Sequence, residues 1–162
     1  MPYRYLQDVP APEILARIDA AIELLEAYEG EPIVAHQHPL HNAMVALEQT
    51  LRVSYGTPTP KQPSKLPLYL SDTWHHLLWA SRGWTRPTGE PWDAQAWQPF
   101  VRAKLLRFRE LVTSGAWARA LSTVRELPAY QGRTMWTHGS VHDLLRAEIK
   151  PLGDPPGYRD GE

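Results

Sequence analysis

Two histidines, His138 and His142, stand four residues apart in the run His-Gly-Ser-Val-His. On a helix that spacing stacks the two side chains on one face. Two imidazoles so placed can each give a ring nitrogen to one divalent metal. They share the stripe of Val141, Leu145 and Ile149, which is expected to face inward. A third ligand would have to come from another helix, with His75, His76, His41 and the acidic residues as candidates. The pair by itself is also served by hydrogen bonds to backbone or water. Without further evidence that plainer reading takes precedence.

Other residues carry chemistry of their own. In Trp74-His-His-Leu-Leu78 the adjacent imidazoles diverge by ~100° around a helix, so at most one can join a site with His138 and His142. His36-Gln-His-Pro-Leu-His41 places three histidines where a loop meets a helix, interrupted by proline. That position suits surface or capping roles better than a metal. Arg133 precedes His138 by five residues. An arginine can stabilise a phosphoryl transition state while a histidine acts as acid or base, which is a nuclease pattern. In the plain alternative Arg133 is a solvated first-turn residue. Seven tryptophans, at 74, 79, 84, 92, 97, 117 and 136, read mainly as core. Trp84 and Trp92 flank a Pro/Gly loop and could wall a pocket.

The elements that must position these groups are helical. Pro12 suits a first turn, and Ile14, Ile18, Ile22 and Leu25 follow at helical spacing until Gly30 and Pro32. A second helix is predicted from about Pro39 to Tyr55 on the stripe Leu40, Met44, Leu47, Leu51. The proline-rich stretch after Gly56 is a loop. Ser71 or Asp72 is expected to cap a third helix carrying Trp74, Leu77 and Leu78 to near Gly83. Asp93 caps a fourth, with Trp97, Phe100, Val101, Leu105, Phe108 and Val112 on one face, broken at Ser114-Gly115. A short fifth helix holds Trp117, Leu121 and Val124. The last runs from near Arg133 to about Lys150, ended by Pro151 and Gly153, with a loose tail beyond. No alternating strand pattern of useful length is present. The expected fold is an all-α, up-down helical bundle of four core helices with one or two short extra helices. It forms one domain over 1–162, with irregular ends at 1–11 and 151–162.

Composition narrows the function classes. With 162 residues, one core is long enough to be stable unaided. No cysteine is present, which excludes disulfides, thiolate metal sites and cysteine nucleophiles. Seventeen Lys and Arg against 18 Asp and Glu give a net charge of -1, which does not advertise nucleic-acid binding. No apolar run approaches the ~20 residues of a membrane span, and the N-terminus has no apolar signal segment. A cytoplasmic protein is expected.

Two segments together resemble the DinB/YfiT-type helical bundles. Residues 71–90, Ser-Asp-Thr-Trp-His-His-Leu-Leu-Trp-Ala-Ser-Arg-Gly-Trp-Thr-Arg-Pro-Thr-Gly-Glu, are similar to that family's second-helix segment. Residues 138–156, His-x-x-x-His ending in Leu-Gly-Asp-Pro-Pro, are similar to its closing helix and tail. The chain departs from the family's His-Arg-Gly-Gln by reading His142-Asp-Leu-Leu. The resemblance implies a divalent metal (Zn, Ni, Mn or Fe) on His76, His138 and His142. It also implies metal-dependent hydrolysis or thiol-dependent transfer on a small-molecule substrate. A rival resemblance is to HEPN-type ribonucleases, through Arg133, Thr134 and His138-Gly139. It implies metal-independent RNA cleavage by Arg133 and His138, in a homodimer. A third reading is a non-enzymatic interaction module whose tryptophan-rich surface does the binding.

Overall fold

The computed structural model describes residues 10–51, 69–125 and 139–156. Among these residues the chain is helical, with no strand, so the all-α expectation holds. The helices are α1 (Ala11–Glu26), α2 (Pro39–Thr50), α3 (Leu70–Ser81), α4 (Ala94–Thr113), α5 (Ala116–Arg125) and α6 (Gly139–Glu148), followed by a 3-10 turn at Lys150–Leu152.

The predicted stripes become the core. Ile14, Ile18, Ile22 and Leu25 of α1, and Leu40, Met44 and Leu47 of α2, are buried. So are Trp97, Val101, Leu105 and Phe108 of α4, and Val141, Leu145 and Ile149 along and just past α6. α4 is the central element: it packs on α1, α3 and α5, while α2 packs on α1 and α6 on α5. Its direction against its neighbours follows from paired residues. Arg109 meets Asp19 and Arg102 meets Glu26, each at 2.7 Å, so α4 runs antiparallel to α1. Lys104 meets Tyr69 and Thr73 while Trp97 meets His76, so it also runs antiparallel to α3.

Side chains cap the starts of α2 and α4, but not those of α1 and α3. Asp93 caps α4, its carboxylate accepting the Gln95 N–H at 3.0 Å. His38 caps α2, its Nδ1 accepting the Leu40 N–H at 3.0 Å, with Pro39 in the first turn. α3 departs from expectation. Its N-cap is Tyr69 in a left-handed conformation (φ 73°), with no side-chain cap bond. Ser71 does not cap; its hydroxyl is buried within the helix, 3.3 Å from His75 Nδ1. Gly115 at φ 83° turns the chain from α4 into α5, a conformation glycine adopts without a Cβ penalty.

The tail is not loose where it is described. Asp154 reaches back between α3 and α4, and Pro155 is buried.

Candidate functional site

Two groups of polar and aromatic side chains stand out, both centred on α3. The first begins with His76. Its Nδ1 lies 2.6 Å from the carbonyl of Asp72, one turn earlier, so Nδ1 carries the proton and donates. In this tautomer of the neutral ring Nε2 holds the lone pair. The ring is stacked on Trp97 (centroids 4.8 Å, 16° between planes) and on Trp92 (5.2 Å, 26°), with Trp79 edge-on at 5.3 Å. A second stack continues outward: His75 on Trp79 at 5.9 Å and 19°, then Trp79 on Trp84 at 5.3 Å and 18°. Burial falls along this series. Trp97 is fully buried, Trp79 and Trp92 are half-buried, and Trp84 is 55% exposed.

The turn 84–92 holds the outer tryptophans in place. Trp92 N–H donates to the Trp84 carbonyl, Arg86 N–H to Glu90 and Gly89 N–H to Arg86. Thr85 and Pro91 form an isolated antiparallel bridge. The loop expected from Pro and Gly content is therefore a tight, hydrogen-bonded turn. Trp84 and Trp92 flank it as expected, and their rings continue the aromatic series rather than closing a separate pocket.

The second group is buried and was not foreseen. The Lys104 ammonium, on α4, donates to Thr73 Oγ1 (2.5 Å), to the Tyr69 carbonyl (3.1 Å) and to Asp154 (3.2 Å). Thr73 in turn donates to Asp154 at 2.6 Å. Lys104 and Thr73 are essentially inaccessible, so no substrate reaches this hydroxyl and its role is structural. A lysine on a helix face normally reads as solvated, so the spacing gave no sign that this one turns inward. His142 is half-buried nearby on α6, its ring 6.4 Å from that of Tyr69.

The structure places His76 among Trp79, Trp92 and Trp97, and His142 beside Tyr69. Seven residues of helix separate Tyr69 from His76, an advance of about 10 Å. Among the described residues no three of His, Cys, Asp and Glu form a group able to hold a metal. His138, the remaining member of the expected metal set, lies outside the described residues, as do Arg133 and Trp136.

The histidines at 36, 38 and 41 cluster where α1 hands over to α2. His41 Nδ1 accepts the His36 N–H at 3.2 Å, and the two rings meet edge to face at 5.2 Å. Capping, one of the roles read from the sequence, is what His38 performs. The segment is fastened to the end of α3: Ser81 Oγ accepts the Ile33 N–H, and Arg82 Nε donates to the Ile33 carbonyl. Exposed Val34 therefore lies at the same end of the molecule as exposed Arg82 and Trp84.

No helix among the described residues is long and apolar enough to cross a membrane. Comparison with family models, curated proteins and solved structures finds no match.

Proposed function

We propose that this chain is an interaction module, and that its contact surface is the end of the bundle bearing Trp84, Arg82 and Val34. The observation that carries the reading is the graded aromatic stack. It runs from the buried Trp97 through half-buried His76, Trp79 and Trp92 to an indole more than half exposed. A tryptophan held by a rigid turn has already lost much of its conformational freedom, so seating it in a partner costs little further entropy. Tryptophan and arginine are the residue types that most often dominate binding energy at protein contacts. The exposed Arg82 beside Trp84 selects the partner: a protein with an apolar pocket for the indole and carboxylates on its rim.

The test begins with wild-type and Trp84→Ala baits and a candidate partner purified on its own. Titration of that partner is expected to show at least a tenfold weaker Kd for Trp84→Ala, with the melting temperature only slightly lowered, since the exposed ring gives up its stack on Trp79 alone. Equal Kd values for the two baits would refute the assignment of this surface.

A metal-dependent, DinB-like hydrolase or transferase on His76, His138 and His142 is the second reading. One observation favours it. The Nδ1–H of His76 donates to a backbone carbonyl, which is how metal-ligating histidines are commonly oriented, with Nε2 free to ligate. Elemental analysis of untagged protein for Zn, Ni, Mn and Fe tests it. Stoichiometric metal, lost in His76→Ala, supports the reading; absence of metal and of any thermal shift on adding it counts against it.

A further inference from the structure

The junction between α1 and α2 combines features that respond to protons together. Two imidazoles there act as acceptors through Nδ1, each toward a backbone N–H: His38 toward Leu40 and His41 toward His36. An Nδ1 that accepts is unprotonated, so both bonds require neutral rings. His36 holds a left-handed conformation (φ 63°) that costs a non-glycine residue energy. Its N–H on His41 is one of the contacts that maintain it. Leu40 and Ile33, at the two ends of the segment, are both fully buried.

The charges facing this cluster are these. Glu31 lies 3.6 Å from His38 Nε2. Arg82, from the end of α3, faces His41, as do His36 and His38. Tyr28, from the end of α1, meets the His38 ring edge-on at 6.0 Å. Burial first, then Glu31, pushes the Tyr28 phenol up to about 12, with the Ser81 hydroxyl opposing and Asp93 adding to the rise. Tyr28 therefore stays neutral at and below neutral pH. Glu31 thus faces His38, while His36, His38 and Arg82 face His41.

We propose that segment 33–41 is a proton-operated latch: neutral His38 and His41 fasten the start of α2 and the strained His36, and protonation releases them. A protonated His38 turns its N–H against that of Leu40 and puts a positive charge at the positive end of the α2 dipole. A protonated His41 loses the His36 N–H and stands against His36 and Arg82. Burial, followed by these same neighbours, already holds the His41 imidazole below the usual histidine range. The latch does not depend on what Trp84 binds.

Amide hydrogen exchange by NMR at pH 7.5 and 5.0, corrected for intrinsic rates, tests the latch on the full chain. Imidazole nitrogen shifts recorded in parallel report protonation. In the wild type, protection of the Leu40 and His36 amides relative to that of Leu105 is expected to fall by roughly fivefold or more at pH 5.0, the size of a lost cap. His38→Asn keeps a capping acceptor that does not titrate. It is expected to hold Leu40 protection constant between the two pH values while His36 still responds. Protection unchanged in the wild type would overturn the proposal. So would rings that stay neutral at pH 5.0, or an equal fall of Leu40 in His38→Asn.

Discussion

A lysine ammonium at 1% exposure is costly unless every proton finds an acceptor, and the three acceptors around Lys104 meet that demand. Removing the ammonium while keeping the carboxylate takes one donor each from Thr73, the Tyr69 carbonyl and Asp154, and leaves the Asp154 charge without the Lys104 cation beside it. Lys104→Met is expected to lower unfolding free energy by about 3 kcal/mol or more, measured by urea denaturation. The double variant Lys104→Met, Asp154→Leu should recover most of that loss, because an apolar replacement of both partners can be nearly neutral. None of this was legible in the residues themselves. Lys104 sits between Val101 and Phe108 on a face read as core through its apolar members only, and its partner lies 50 residues away. The His-x-x-x-His pair was legible, but its spacing says nothing of what faces it; His142 faces a tyrosine from the start of α3.

At the scale of elements, start and stop signals served well where a side chain does the capping. Asp93 was read correctly, and its bond to Gln95 predicts the effect of removing it. Asp93→Ala is expected to cost about 1 kcal/mol and Asp93→Asn only a few tenths, by the same urea measurement. The start of α3 was misread because Ser71 and Asp72 both have capping side chains, while the actual boundary is set by tertiary contacts. Lys104 and Thr73 donate to the Tyr69 carbonyl and so anchor the chain at that boundary, while no side chain caps the first N–H groups of α3. The tail was misread for a similar reason. Proline and glycine signal irregular backbone, and irregular backbone need not be loose when one carboxylate is tied into the core.

For the whole molecule, the apolar stripes along α1, α2, α4 and α6 made the helical class readable from periodicity alone. The arrangement of the exposed groups was not, because burial depends on which elements meet. Trp79, Trp84 and Trp92 are one residue type with three neighbourhoods. The histidine cluster likewise gives a property of the assembled fold. His41 binds its proton less tightly in the folded chain than in the unfolded one, owing first to burial and then to His36 and Arg82. As pH falls through the ordinary histidine value of 6.5, the unfolded chain takes up that proton first, so stability is full above this range and declines below it. The urea midpoint is expected to be lower at pH 5.5 than at 7.5, and the difference should shrink in His41→Gln.

A partner of this chain is expected to touch the end that bears Trp84, Arg82 and Val34. Hydrogen exchange measured by mass spectrometry on this chain, with and without a purified partner, locates that contact. Added protection over 33–36 and 82–92, lost in Trp84→Ala, is the predicted result. Protection confined to peptides away from this end of the bundle, or a footprint indifferent to Trp84, would contradict it.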